Sequence, residues 1–153
     1  MSLVIRNAQR VVSVRRAPLR RAVGALRAAL GAGRFDVALV CAGNGTMRRL
    51  NGAYRRRDEP TDVLSFPSHR VAAGELPRPR SRDEYDLGDI FLGVEYIREQ
   101  CRGTGQDFDS ALAVTAAHGL CHLLGYQHNT KSEWRQVESC PCTGKTCGIR
   151  QGF

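Results

Sequence analysis

A chain of 153 residues with 42% hydrophobic and 25% charged side chains has the composition of one globular domain around one core. No apolar run approaches the roughly 18–20 residues of a membrane span, and no membrane partner is expected. The net charge of +8 is carried almost wholly by arginine, with Lys131 and Lys145 the only lysines; the guanidinium fork suits phosphate, so a nucleic-acid partner is expected.

The opening "MSLVIRNAQR" lacks the long apolar core of a secretory signal. Residues 1–35 hold eight arginines, and Asp36 is the first carboxylate. That is the composition of a mitochondrial transit peptide, so a mitochondrial address is expected, with the cytoplasm or nucleus as the alternative. The same residues also read as folded elements. Val4-Ile5 and Val11–Val14 predict one or two short strands. Pro18 suits the first turn of a helix running to about Leu30, with Leu19, Ala22, Val23, Leu26 and Leu30 as its apolar stripe and Arg20, Arg21 and Arg27 largely off it. Gly31-Ala32-Gly33 stops it, and "RFDVALVCA" predicts a strand.

Gly43-Asn44-Gly45 predicts a turn, and Thr46 a cap for a short helix holding Met47, Leu50 and Tyr54. "YRRRDEP" reads as a polar loop. "TDVLSFP", bounded by Pro60 and Pro67, predicts an edge strand. Residues 68–86 read as an exposed loop in which His69 is solvated. "LGDIFLGVEYI" predicts a strand followed by a helix. Cys41, Cys101 and Cys121 sit in apolar or helical surroundings and are expected to be reduced structural thiols.

A further helix is predicted from about Asp107 to Leu124, with Asp107 or Asp109 at its N-terminus. Phe108, Leu112, Val114, Ala117, Leu120, Cys121, Leu123 and Leu124 cover most of its circumference, so it should be central and buried. His118 and His122 are one turn apart and share a face. Gly125 can reverse the chain in a left-handed cap, which lets His128 swing back toward them. Three imidazoles converging in this way suit zinc, which takes nitrogen ligands at about 2.0–2.1 Å; three protein ligands leave one position for water, the catalytic pattern. The spacing is also that of the metzincin peptidases, but those place glutamate directly after the first histidine as general base, where this chain has Gly119.

With those residues set out, a family resemblance emerges. "LNGAYRRRDEPTDVLSFP", "LGDIFLG" and "HGLCHLLGYQH" resemble, in this order, three signature blocks of the YbeY endoribonucleases, or rRNA maturation factors. The resemblance covers close to nine-tenths of the chain, and the arginine-rich start is similar to the animal mitochondrial branch. It implies an α+β fold: a small mixed β-sheet packed with helices, one of them a zincin-like metal helix. It implies one Zn2+ held by His118, His122 and His128, with His118 also in the catalytic set, and a single-strand-specific endoribonuclease acting on RNA. It further implies work in rRNA maturation and small ribosomal subunit assembly, with an S11-type ribosomal protein as partner. Arg55 is the functional arginine it implies. On chemical grounds a guanidinium and a metal together would stabilise charge on a phosphorus under attack, and Arg56 and Arg57 are expected phosphate-backbone contacts. Asp62, Asp86 and Asp89 are open candidates for the general base.

The pattern breaks after "KSEWRQ", where "VESCPCTGKTCGIRQGF" replaces the long helix usual in the family. The expected division is an endoribonuclease domain over 1–137 and an atypical, cysteine-rich tail over 138–153. Cys140, Cys142 and Cys147 could take a second metal only with a fourth ligand that the tail does not supply. Two rivals to the nuclease stand at this point: a zinc metalloprotease using the same three histidines, and a non-catalytic ribosome-assembly factor.

Overall fold

Val37, Leu39 and Cys41 are buried and alternate with the half-exposed Ala38 and Val40. That period of two builds the strand β2 (Asp36–Ala42). The computed structural model of the chain describes residues 3–69, 76–81 and 84–125. Around β2 it sets β1 (Leu3–Asn7), β3 (Val63–Pro67) and β4 (Asp86–Gly93) in the order β1-β2-β4-β3. β1 and β4 run parallel to β2, and β3 runs antiparallel to β4. The helices are α1 (Arg16–Ala29), α2 (Asn44–Arg55), α3 (Val94–Thr104) and α4 (Phe108–Leu123). The α+β class with a small mixed sheet is therefore what the described residues adopt.

The main core lies between one sheet face and the helices α1, α3 and α4. It gathers Leu3, Ile5, Val37, Leu39, Ile90 and Leu92 from the strands against Leu19, Val23, Ile97, Leu112 and Leu120. Leu19, Val23 and Leu26 bury the α1 stripe at the expected spacing. Ala22 stays exposed and Leu30 only half-buried. On the other sheet face α2 covers the β3–β4 end through Met47 and Leu50 against Leu64, Phe66 and Phe91.

β3 is an edge strand, as its flanking prolines indicate. The Gly93 N–H donates to the Asp62 carbonyl (2.7 Å) and the Ser68 N–H to the Leu87 carbonyl (3.0 Å), so the even-numbered residues turn their backbone toward β4. Alternation in the ladder leaves the backbone of Val63 and Ser65 facing outward, and Pro67 offers no N–H there.

Three local expectations are corrected. Val11–Val14 is not a strand. The Gln9 side chain accepts from the N–H groups of Val11 (2.9 Å) and Val12 (2.8 Å) and donates to the Val12 carbonyl (2.8 Å), closing a turn with the bonds a strand would need. Thr46 does not cap α2: the helix starts at Asn44, whose N–H donates to Glu95 Oε1 (3.1 Å) across from α3. His69 is half-buried rather than solvated. Its Nε2 lies 2.8 Å from the Glu84 carbonyl, which can only accept, so the ring donates. Of the two candidate caps on α4, Asp107 takes the role, accepting from the Ser110 N–H at 3.0 Å, while Asp109 pairs with Arg15 at 3.1 Å.

Cys41, Cys101 and Cys121 are buried thiols, as expected. Burial pushes the Cys41 thiol up from 9.0 to about 11, against a smaller opposing pull from Arg16. The folded state thus holds the proton more tightly than the unfolded chain. The stability this contributes is complete below pH about 9 and is lost as pH rises through about 11. Cys41→Ala should remove that part of the alkaline slope. Urea unfolding of both proteins across pH 8–11 checks it, and parallel slopes would exclude a buried titrating thiol.

Candidate functional site

α4 combines a satisfied N-cap with apolar side chains around nearly its whole surface, so it runs through the core. His118 is 0% exposed and His122 half-buried one turn further on. Two imidazoles at this spacing project from the same face of a mostly dry helix, and as neutral nitrogen donors they fit two positions of a zinc site. His128, the third expected ligand, lies outside the described residues, as do Cys140, Cys142 and Cys147. Among the described residues no three His, Cys, Asp or Glu side chains form a metal-binding group.

Gly119 has a reason that sequence alone does not carry. A Cβ there would sit 2.6 Å from Ile90 Cγ2, so this buried, β-branched side chain of β4 would have to shift to admit it. Ser65 Oγ on β3 donates to the Gly119 carbonyl at 3.2 Å, fixing the edge strand to α4 beside His118. The position where a metzincin carries its glutamate is thus filled by the sheet. Gly119→Ala should be net destabilising. Overpacking costs about 1–3 kcal/mol, against up to about 1 kcal/mol gained in helix propensity. In a chain of this size that lowers the melting midpoint by a few degrees. Ile90→Ala should rescue Gly119→Ala relative to additivity, and strictly additive midpoints would refute the contact.

Arg55 is the last residue of α2, and Arg56 follows as its left-handed C-cap (φ 57°). The loop beyond folds back onto the helix. The Arg57 N–H donates to the Asn51 carbonyl (3.3 Å), and the Nδ2 of the buried Asn51 donates to the Glu59 carbonyl (2.9 Å). Arg48 grips Asp58 through two bonds of 2.7 and 2.9 Å, and Arg57 lies 3.9 Å from Glu59. The three consecutive arginines are therefore not equivalent. Among the described residues Arg57 has an acid partner, while Arg55 and Arg56 have no ion pair. Arg55 reaches solvent, yet enough of the chain surrounds its guanidinium to desolvate it in part. That desolvation lowers its pKa; Asp62 pulls the other way, and Arg57 adds to the lowering. Arginine stays charged through such a shift.

Asp62 is 2% exposed, next to Thr61. Its backbone is held by Gly93, where a Cβ would run into the Thr61 carbonyl oxygen. Of the three candidate carboxylates, Asp62 alone shares the neighbourhood of Arg55. Asp86 accepts from the Gly88 N–H (3.0 Å), and the exposed Asp89 lies on the strand face opposite Ile90, away from α4.

β3 brings these parts together. Val63 and Ser65 face α4, whereas Leu64 and Phe66 face α2. The open edge of β3 therefore runs between the histidine helix and the arginine-bearing end of α2. Ser65, Asn51 and Glu95 were missed from the sequence, because each acts through a partner on another segment. Helical spacing groups Tyr54 with the apolar residues of its helix, yet it is 66% exposed.

Residues 5–140 match the family model described as Endoribonuclease YbeY. The chain is 54% identical over 138 residues to Endoribonuclease YbeY of Homo sapiens, covering 90% of this chain and 82% of that protein. It is 36% identical over 116 residues to Endoribonuclease YbeY of Thermus thermophilus, covering 76% and 78% respectively. Its fold is similar to the solution structure of TM1509 from Thermotoga maritima, with a TM-score of 0.57 at 22% identity, over 90% of this chain and 85% of that one.

Proposed function

The chain belongs to the YbeY endoribonuclease family, and from that premise we propose that it is a zinc-dependent endoribonuclease that cuts single-stranded RNA during rRNA maturation. The observation that carries the reading is the edge strand β3, with His118 and His122 on the helix to one side and Arg55 on the helix to the other. His118 and His122, on a helix of zincin type, would hold the zinc together with His128. When bound, the ion supplies Lewis-acid polarisation of a phosphoryl oxygen and lowers the pKa of water. Arg55 binds a non-bridging phosphate oxygen and neutralises the charge that grows there as the phosphodiester is attacked. The buried Asp62 attracts that guanidinium from the protein side. Arg56 and Arg57 contact neighbouring phosphates, the Arg57 contact competing with Glu59.

The peptidase rival loses its support at Gly119, since Ile90 occupies the space a general base would need. The assembly-factor rival is separated by activity. Purified protein should cleave defined single strands, spare the duplex, and stop on chelation, with His118→Ala prepared in parallel to expose contaminating nuclease. Equal cleavage by that variant, or none by the wild type, overturns the reading.

The domain is taken as 1–137, with 138–153 a tail beyond it. A mitochondrial location, with association to the small ribosomal subunit through an S11-type protein, rests on the family resemblance and the arginine-rich start. Any address in that start must be uncleaved. Leu3 and Ile5 are core residues, and Arg20 and Arg27 donate to the carbonyls of Leu3 (2.6 Å) and Phe35 (2.8 Å). A fluorescent fusion of residues 1–40 that stays cytosolic counts against the address. Failure to co-sediment with small subunits counts against the association.

A further inference from the structure

We propose that Tyr54 is a base-stacking platform in the RNA path, and that it contributes to the choice of single strands over duplex. This rests on the nuclease reading above and adds a binding residue to it. Tyr54 follows Met47 and Leu50 along α2, yet Met47 is 0% exposed and Tyr54 66%. A scattered surface tyrosine is ordinary; this one is braced. Its ring meets Phe66 of β3 edge-on, with centroids 4.8 Å apart and planes at 65°. Phe66 in turn meets Phe91 of β4 at 5.5 Å and 85°. One edge-to-face contact orients the Tyr54 ring, and the Phe66 ring beneath it is itself backed by Phe91, so less freedom is lost when a base lands on it than for an unsupported side chain.

Its neighbours supply the charge complementarity. Arg55 follows directly, Arg56 comes next, and both lack ion pairs among the described residues. Phosphates drawn to those guanidinium groups place the attached bases within reach of the tyrosine. Stacking tolerates any base, because every base has a π-face, but it needs a face that is exposed. In a duplex both faces are already stacked, so a paired strand gains the phosphate contacts and forfeits this one.

The test is steady-state cleavage of a single-stranded RNA carrying one site, alongside versions with a single abasic ribose at each flanking position. Tyr54→Ala should raise KM roughly tenfold with the loss falling on KM rather than kcat, and Tyr54→Phe should rescue it. Wild-type protein should be sensitive to one abasic position near the cut, and Tyr54→Ala should be indifferent to it. If Tyr54→Ala fails to fold, Tyr54→Leu keeps an apolar cover on Phe66 without a π-face and should show the same loss. An unchanged KM in the folded variant, or an abasic penalty that persists without the ring, overturns the proposal while leaving the nuclease intact. Wild-type protein that cleaves no RNA overturns the parent reading, and this one with it.

Discussion

Replacing His118 by alanine is expected to cut RNA cleavage by at least about a thousandfold and to lower bound zinc well below one ion per chain. The size follows from the metal's share of transition-state stabilisation, several kcal/mol, at about 1.4 kcal/mol per factor of ten. His118 is wholly buried, so its truncation also leaves a void in α4. Lost activity alone would then be ambiguous. His122→Ala resolves this, because His122 is only half-buried and its removal disturbs the core less. Both variants should lose metal, while His122→Ala keeps a melting midpoint nearer the wild type. Chelated wild-type protein should match both in activity and recover on adding zinc. Retained metal in both variants would remove the histidines from the ligand set. Retained cleavage without metal would remove the metal from the reaction.

What could be read in the sequence, and what could not, follows the range of the interactions. α4 was legible because its apolar wrap, its aspartate cap and its histidine spacing are all local. β3 was legible as an edge because prolines at 60 and 67 are incompatible with a ladder on both sides. The α2 start was misplaced because its first N–H is satisfied by Glu95, 51 residues away. Gly119 shows the same limit from the other direction. In the sequence it is an absent glutamate; in the fold it is the point where α4 rests on Ile90. Val11–Val14 failed for a local reason, since the β-branched run was outcompeted by one glutamine side chain bonding to the adjacent backbone. Tyr54 shows that a helical apolar stripe predicts which residues could be buried and not which ones the sheet leaves uncovered.

Arg55→Ala is the second variant with a large expected effect, and it separates chemistry from binding. If the guanidinium meets charge that grows only during attack on phosphorus, its loss should lower kcat by about 10²–10³-fold while KM moves little. Arg55→Lys keeps the charge but not the fork, and should fall between. Arg56→Ala should behave in the opposite sense: weaker binding at physiological salt, a shallower dependence of affinity on salt by about 0.7 in the log–log slope, and kcat nearly intact. Arg57→Ala should do less than Arg56→Ala, because Glu59 already draws on that charge. Asp62→Asn gives an independent check. It removes the buried carboxylate whose charge attracts the Arg55 guanidinium, so kcat should fall without loss of zinc. An Arg55→Ala enzyme that turned over at the wild-type rate with raised KM would make Arg55 a simple phosphate anchor. It would also shift the burden of stabilising the charge on phosphorus to the histidine side of β3.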